Sequence, residues 1–284
     1  MKKTLLLLVF AISVLQTYAQ YKLPYALYNS EGKKVSYKKM IRILKEKDIV
    51  LFGEFHNNAI SHWLQLEVTK DLHETRQMVL GAEMFEADNQ GVLNDYLNGK
   101  ISAKGLDSNA RLWKNYPTDY APLVNYAKEN KLPFIATNIP RKYAGLVSKG
   151  GFGKLDSLTA MEKSWMAPLP MAYDKTLPGY VRMMEMMAGH GSENMPKAQA
   201  SKDATMAHFI LANYKQGSLF IHYNGSYHSD YFDGINWYLQ QANPSLKRGT
   251  ISTVSQQNIK SLLAENKGKA DFIICVDEDM TNTY

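Results

Sequence analysis

Residues 50–63 read VLFGEFHNNAISHW, and this stretch decides the fold class. It begins as an unbroken apolar run, which is typical of a strand buried on both faces of a parallel sheet. The run ends in Gly53-Glu54-Phe55-His56, so a carboxylate and an imidazole follow the strand. Asn57 or Asn58 is then placed to cap a helix. The residues that give this helix its spacing are Ile60, Trp63, Leu64, Glu67, Val68 and Leu72.

Further apolar runs, separated by helical stretches, extend this pattern along the chain. The predicted strands cover about 48–54, 77–84, 133–138, 218–224, 250–255 and 271–277. A second helix is predicted over about 119–130. The chain then leaves the pattern over about 142–215, a methionine-rich stretch. We therefore predict an α/β fold, with a mainly parallel central sheet flanked by helices and a helical Met-rich insertion.

The composition is that of a globular protein, with 284 residues of which 45% are apolar and 21% charged. The net charge is +6. Because no dense cluster of lysine and arginine is present, a nucleic-acid partner is not expected. Cys275 is the only cysteine, which excludes an internal disulfide. It lies in an apolar run, so we predict a buried, inert thiol.

The first residues are typical of an export signal. Lys2 and Lys3 precede an apolar stretch from Leu5 to Leu15, which is shorter than the roughly 20 residues that span a bilayer. We predict a signal peptide over 1–19 with cleavage after Ala19, and a single α/β domain over 20–284. The protein would then be periplasmic or secreted. No cysteine lies near the cleavage site, so there is no lipobox and no lipid anchor is expected there.

Polar side chains follow several of the predicted strands. Because parallel strands end at one edge of a sheet, these side chains should lie close together. Buried carboxylates and imidazoles are costly unless they pair with each other or with a ligand. We therefore predict a functional site at this edge. The polar cluster comprises Glu54, His56, His62, Glu83, Asn138, Arg141 and His228.

The four ionisable residues Glu54, His56, Glu83 and His228 fit two chemistries. Imidazoles and carboxylates are ligands for a divalent metal such as zinc or manganese, and an open coordination position would make a hydrolytic site. The spacing, however, is not that of the H-E-x-x-H motif. Alternatively, glutamate and histidine orient one another without metal, as an acid/base pair or as a polar cluster that holds the loops of a binding site.

A third possibility comes from the insertion and from residues 222–239, HYNGSYHSDYFDGINWYL. These segments supply methionines and aromatic rings, which suit a flat macrocycle such as haem. Tyrosinate favours ferric iron, and histidine can assist. The alternative is that the methionines only fill a hydrophobic core.

Five blocks carry a resemblance to a known family. They are Gly53–His56 with His62 and Gln65, Leu80–Phe85, Ala136–Arg141, Ala198-Gln199 with Asp203 and Met206-Ala207, and Gly225–His228 with Gly234-Ile235. In this order, over about residues 49–240, they resemble the ChaN family of iron-regulated, haem-binding uptake proteins. That family lies in a superfamily with Tiki proteins, TraB proteins and erythromycin esterases.

The resemblance implies an α/β fold that holds haem at a dimer interface, with a tyrosine as iron ligand and a histidine nearby. Tyr231 is the residue we match to this tyrosine, and Tyr227 is the alternative. His190 is matched to the histidine, and Met183 and Met187 would cover the porphyrin. The implied partners are haem, an outer-membrane haem receptor or inner-membrane transporter, and a second copy of the chain.

The resulting expectation is an exported haem-binding protein of bacterial iron uptake that is not catalytic. The alternative is a hydrolase that uses the four ionisable residues at the sheet edge, because the same superfamily includes enzymes in which these blocks serve hydrolysis with or without metal. A hydrolase would expose His56 or His228 to a substrate carbonyl. A haem protein would instead turn a tyrosine toward an apolar surface lined by the insertion.

Overall fold

The strands of the protein form one seven-stranded sheet. The structure is a computed structural model, and it describes residues 22–186 and 192–284. The predicted signal peptide, Met187 and His190 therefore lie outside the described residues. The strands are β1 (Tyr25–Asn29), β2 (Ile49–Glu54), β3 (Met78–Glu86), β4 (Phe134–Asn138), β5 (Leu219–Gly225), β6 (Arg248–Gln256) and β7 (Phe272–Asp277).

Helices connect these strands and cover both faces of the sheet. They are α1 (Tyr37–Leu44), α2 (Ala59–His73), α3 (Gln90–Leu97), α4 (Ala103–Asn109), α5 (Ala121–Glu129), α6 (Arg141–Gly150), α7 (Ala160–Lys163), α8 (Pro178–Met186), α9 (Met195–Asn213) and α10 (Ile235–Ala242). Shorter helical turns include Tyr116–Tyr120 before α5, and Ser226–His228 and Asp230–Phe232 after β5. No helix in the described part of the chain is long and apolar enough to cross a membrane.

The strand order is β1-β7-β6-β2-β5-β3-β4. Only β1 runs antiparallel to its neighbour, and the other pairs are parallel. The predicted α/β fold with a mainly parallel sheet is confirmed, and each of the six predicted strands is present. The prediction omitted β1, because this short edge strand pairs with β7 through a contact of very long sequence separation that no local pattern carries.

The helix that follows β2 shows why the sequence folds locally as it does. Its cap is Asn58 rather than Asn57, since the Asn58 side chain accepts a hydrogen bond from the Ser61 amide at 2.9 Å. The helix buries Leu64 and Val68 in a core cluster that it shares with β2. Capping and burial together fix where the strand stops and the loop carrying His56 begins.

Two core clusters lie on the two faces of the sheet. One contains residues of α1 to α5, and the other contains residues of α6, α9 and α10. Within the described residues the segment between β4 and β5 is helical, which confirms the helical insertion of the predicted fold. Among its methionines, Met166, Met171 and Met206 are buried core residues, whereas Met161, Met184 and Met186 are exposed.

Cys275 is fully buried in β7. Burial raises the pKa of its thiol to about 11, so the reactive thiolate is scarce at neutral pH. The prediction that this cysteine is buried is therefore confirmed.

Candidate functional site

A cleft of about 1370 Å³ opens at the carboxyl ends of β2, β3, β4 and β5. Six of the seven residues of the predicted polar cluster line it, namely Glu54, His56, Glu83, Asn138, Arg141 and His228. The seventh, His62, is buried on α2 behind Glu54. The structure thus brings these side chains together at one edge of the sheet, as open parallel sheets generally do with their ligand sites.

An irregularity in β3 makes room for part of this site. Strand β3 pairs with β5 only as far as Ala82, and its register with β4 shifts between Ala82 and Glu86. Glu83 lies inside this irregular stretch. Such bulges re-aim side chains next to functional sites. Here the carboxylate of Glu83 reaches the end of β5, where its Oε2 accepts a hydrogen bond from the Gly225 amide at 2.8 Å.

Glu54 is the centre of the first of two carboxylate–imidazole clusters, which we call the Glu54 cluster. Its carboxylate is buried and fully engaged. Oε1 accepts a hydrogen bond from the Tyr120 hydroxyl at 2.7 Å and lies 2.9 Å from Nδ1 of His56. Oε2 accepts a hydrogen bond from the Gln65 amide. The carboxylate therefore orients the His56 ring, with the hydrogen on Nδ1.

His56 is the part of this cluster that faces the cleft. About 35% of its side chain is exposed. Burial lowers its pKa, but the hydrogen bond to Glu54 and the charges of Glu83 and Glu54 raise it further, so the net pKa lies above the ordinary value. Trp113 meets the ring edge-on, with 4.7 Å between the ring centroids. Because Nδ1 is held by Glu54, Nε2 is the ring nitrogen available to a ligand.

His62 supports the cluster from behind. Its Nδ1 lies 3.5 Å from Oε2 of Glu54 and 3.3 Å from the side-chain oxygen of Gln65. Its Nε2 lies 3.1 Å from the carbonyl oxygen of His56, which also accepts a hydrogen bond from Asn115 at 2.7 Å. His62 therefore positions the loop after β2 and does not line the cleft.

The second cluster, which we call the Glu83 cluster, holds His228 between two carboxylates. Nε2 of His228 lies 3.1 Å from Oε1 of Glu83, and Nδ1 lies 2.5 Å from Oδ1 of Asp203. The other carboxylate oxygen of Asp203 accepts a hydrogen bond from the Tyr180 hydroxyl at 2.9 Å. Glu83, Asp203 and His228 are all buried. Both ring nitrogens of His228 are therefore already occupied.

The electrostatics of the Glu83 cluster follow from the position of His228 between two carboxylates. Burial lowers the pKa of His228, but the two carboxylates outweigh burial and raise it to about 9. Glu83 is affected in the opposite sense, because His228 outweighs the effect of burial and holds the pKa of this carboxyl far below its usual range. Burial raises the pKa of Asp203, and His228 offsets part of that rise. At neutral pH His228 is thus a buried imidazolium.

Gly225 separates the two clusters. A Cβ atom at this position would lie 2.8 Å from both Cε1 and Nε2 of His56, and 3.6 Å from Oε2 of Glu83. Only glycine allows the ring of His56 to lie this close to the end of β5. The two clusters are therefore neighbours across a single residue that has no side chain.

The described residues contain no arrangement that matches the divalent-metal site considered from the sequence. Within residues 22–186 and 192–284, no group of three or more histidine, cysteine, aspartate or glutamate side chains is placed to hold a metal ion. In the Glu83 cluster the potential ligands are hydrogen-bonded to one another. In the Glu54 cluster the carboxylate is engaged by Tyr120, Gln65 and His56.

The residues matched to a haem site lie elsewhere. Tyr231 is outside the cleft, its hydroxyl donates to the Glu265 carbonyl at 3.0 Å, and the Arg182 guanidinium lies 4.2 Å from its ring centroid. Tyr227 lines the cleft, but its hydroxyl donates to the Gly179 carbonyl at 2.6 Å. Met183 is half-buried on α8, beside Arg182. Residues of α8 thus contact both Tyr227 and Tyr231. The ligand assignments stay predictions.

Sequence reasoning missed several residues that build the site. Asp203 appeared only as part of a family block, and Tyr180 was given no role. The spacing of Gln199 and Asp203 on α9 puts both on one helix face beside His228, which is a usable signal. Tyr120 and Asn115 lie in and next to the irregular turn before α5, where no periodic pattern exists to indicate their direction.

Comparisons with known proteins agree with the fold. Among solved structures, ChaN of Campylobacter jejuni, described with cofacial haem binding, is similar at a TM-score of 0.65 and 18% identity, over 88% of this chain and 96% of that one. The fold is shared by a Bacillus cereus protein, with a TM-score of 0.52 and 10% identity over 84% of this chain and 90% of that one. It is also shared by a variant of the erythromycin esterase EreC in its open conformation, with a TM-score of 0.51 and 12% identity over 89% of this chain and 97% of that one. No curated protein sequence matches the chain.

A family model described as "haem-binding uptake, Tiki superfamily, ChaN" matches residues 40–239, which is well over half of the chain. The resemblance stated from the sequence is therefore confirmed. The chain belongs to the ChaN family of the Tiki superfamily.

Proposed function

We propose that this protein binds haem in an uptake system, with Tyr231 as the ligand of ferric iron and α8 covering the porphyrin. The family description supports haem binding. The observation that carries the residue assignment is the backbone at Tyr231 and Phe232. Both are non-glycine residues at positive φ, 59° and 62°. Left-handed backbone costs such residues roughly 1–2 kcal/mol each, and this kind of strain clusters at ligand sites.

The surroundings hold this strained pair and turn it toward the surface. The Tyr231 amide donates to the Lys269 carbonyl at 2.7 Å. The ring of Phe232 is left 38% exposed. Two adjacent aromatic side chains are thus fixed at the end of a short turn, where burial alone gives no reason for the strained backbone.

The donor chemistry of this surface fits haem. Phenolate oxygen is a suitable ligand for ferric iron, which bound haem would supply. Burial raises the pKa of Tyr231, and the Arg182 guanidinium over the ring offsets part of this rise. Next to Arg182 on α8, the side chains of Val181, Met184 and Met186 are exposed. They provide the apolar surface that a flat macrocycle needs.

The test is a titration of haemin into the purified mature protein, followed by absorbance. Wild type is expected to give a tyrosinate-type spectrum that Tyr231→Phe loses. Tyr227→Phe is the matched control, since it removes a hydroxyl that is bound to a backbone carbonyl of α8. An unchanged spectrum in Tyr231→Phe, or loss of the spectrum only in Tyr227→Phe, would refute the ligand assignment.

The wider role we propose is that of an exported, non-catalytic haem carrier. In this role the signal peptide is cleaved near Ala19, and the mature protein passes haem between an outer-membrane receptor and an inner-membrane transporter. Two copies would face each other through the α8 surface, with His190 assisting iron binding. Cell fractionation with N-terminal sequencing tests export, and size-exclusion chromatography with and without haemin tests dimerisation. An uncleaved cytoplasmic protein, or one that stays monomeric with haem, would contradict these points.

A second candidate function is hydrolysis in the cleft. The observation that favours it is the Glu54 cluster, in which a buried carboxylate orients His56 and leaves Nε2 toward a large cleft. A base held in this way is a recurring element of acyl-transfer sites. An esterase and peptidase panel tests it. Activity that survives both Glu54→Gln and His56→Gln would remove this candidate.

A further inference from the structure

The cleft carries positive charge that the protein does not neutralise. Lys114, Arg141 and Lys202 line it, and none of them forms an ion pair with a carboxylate of the described residues. The two carboxylates deepest in the cleft, Glu54 and Glu83, are fully engaged by the hydrogen bonds of their own clusters. The three cations are therefore available to a ligand.

A fourth cation at the same cleft gives the contrast. Arg111 also lines the cleft, but its guanidinium lies 2.8 Å from Glu86 and is bonded to Asp88 as well. Its charge is neutralised within the protein. The cleft thus contains both paired and unpaired cations, and only the unpaired ones are free to contact an external anion.

The N-terminus of α6 adds to this positive field. The helix begins at Arg141, directly after the strand that carries Asn138. Its N-cap residue, Pro140, makes no side-chain cap, and its first turn contains no acidic residue. The free amides and the helix dipole at such an end attract anions. The helix end alone would not define a site, but it lies among the unpaired cations.

An independent sign of a ligand is a buried polar atom without a partner. Asn138 lines the cleft and is only 8% exposed, and its Oδ1 has no hydrogen-bond partner among the described residues. Nearly all buried polar groups in proteins are paired, so such an exception needs an explanation. Oδ1 itself has almost no accessible surface, so the end of this unpartnered side chain that a ligand can reach is the Nδ2 amide, which donates to an anionic oxygen.

The rest of the lining is apolar and aromatic. Leu112, Trp113 and Ile139 line the cleft beside the cations. A fully polar anion would leave these side chains facing water. The lining therefore suits a ligand with an apolar or aromatic body that ends in an anionic group.

We propose that the cleft binds a phosphate monoester that has an aromatic or apolar body. Three cations and a helix N-terminus favour a group with more than one negative charge, and a phosphate monoester carries nearly two at neutral pH. The planar guanidinium of Arg141 matches its oxygens. Lys202 and Lys114 add charge, and the Nδ2 amide of Asn138 donates to a phosphate oxygen. This site is separate from the Tyr231 surface and does not depend on haem binding.

O-phosphotyramine is a suitable probe, because it combines a phosphate monoester with an aromatic ring. Isothermal titration calorimetry at neutral pH should show saturable binding. Arg141→Gln and Lys202→Gln should each weaken it by about tenfold or more, since each removes a charge-assisted contact. Arg111→Gln removes the same charge from the same cleft, but from a paired side chain, and should weaken it by less than about threefold.

Further arms separate the parts of the proposal. Tyramine, which lacks the phosphate, should not bind, and inorganic phosphate should bind more weakly than the ester. Asn138→Leu should weaken O-phosphotyramine and phenyl phosphate alike, because both present phosphate oxygens to the amide. Equal binding of tyramine, equal effects of Arg111→Gln and Arg141→Gln, or displacement of the probe by haemin in Tyr231→Phe would overturn the proposal. The last result would mean that the cleft takes haem.

Discussion

The two carboxylate–imidazole clusters of the cleft use the same residue types and differ in what they leave free. In the Glu54 cluster one carboxylate holds one nitrogen of His56, and about 35% of that side chain is exposed. In the Glu83 cluster two carboxylates hold both nitrogens of His228, of which about 6% is exposed. The number of carboxylates and the depth of burial therefore decide whether the imidazole is available to a ligand.

This difference assigns different tasks to the clusters. His56 offers Nε2 to the cleft, so any chemistry or ligand contact by an imidazole falls to it. His228 follows β5 and joins Glu83 on β3 to Asp203 on α9. The Glu83 cluster thus fastens the insertion to the sheet through a buried charge. Its charges are mutually satisfied, and its contribution is to the stability and electrostatics of the site.

The difference between the two clusters can be tested by making the same substitution in each. His228→Gln leaves Glu83 and Asp203 facing each other without a cation. Removing one member of a buried ion pair destabilises a protein by about 3–5 kcal/mol, because the remaining charge is uncompensated. Urea denaturation should show a loss of this size in the free energy of unfolding.

The matched control is His56→Gln. Here Glu54 keeps its hydrogen bonds from Tyr120 and Gln65, and the substituted side chain is partly solvated. We expect a loss of about 1 kcal/mol or less. Equal losses in the two variants would show that the clusters do not differ in the way the geometry indicates.

The second prediction concerns pH. The pKa of His228 is raised from 6.5 to about 9 in the folded protein, so the stability it contributes is fully present below about pH 6.5 and is lost as pH rises to about 9. The free energy of unfolding should therefore fall by about 3 kcal/mol across this interval. The measurement is a series of urea denaturations. His56→Gln should keep most of this slope and His228→Gln should lose it; a flat profile in wild type would contradict the buried imidazolium.

The sequence predicted the sheet and the edge at which the polar residues meet, because both follow from local patterns. Apolar runs predict buried strands, and parallel strands deliver the residues that follow them to a common edge. The sequence therefore predicted a shared site for Glu54, His56, Glu83 and His228, and all four line the cleft. The local pattern likewise limited the N-cap of α2 to Asn57 or Asn58.

What the sequence did not predict depends on contacts between distant segments. The partner of His228, Asp203, lies on α9 in the insertion; its spacing from Gln199 indicates a shared helix face, but not which strand end that face meets. Tyr120 reaches Glu54 from an irregular turn with no periodicity. The sequence also did not show which of the two clusters is exposed, since Glu–His pairs look alike in a sequence whether they are buried or exposed.

A third prediction concerns the residue between the clusters. Gly225→Ala places a methyl group 2.8 Å from two ring atoms of His56, while the nearest atom of Glu83 is 3.6 Å away. The methyl group should displace His56 and leave the Glu83 cluster in place. Overpacking of this kind costs about 1–3 kcal/mol. We expect a loss within that range, together with a wild-type pH slope of stability; loss of the slope would mean that the change also disrupts the Glu83 cluster.

The smallest expected effect lies at the other wall of the cleft and has the opposite sign. Asn138→Leu replaces a buried amide whose Oδ1 has no partner with an apolar side chain of similar size. Because an unsatisfied buried acceptor costs about 1–3 kcal/mol, its removal should raise the free energy of unfolding by about 1 kcal/mol, as measured by urea denaturation. Asn58→Leu is the control, since that amide caps α2 and its loss should destabilise the protein. A gain at Asn138 and a loss at Asn58 would show that the protein retains Asn138 at a cost in stability, as expected of a residue that serves a ligand. Destabilisation at both would mean that the Asn138 amide is satisfied within the folded protein and is not kept for a ligand.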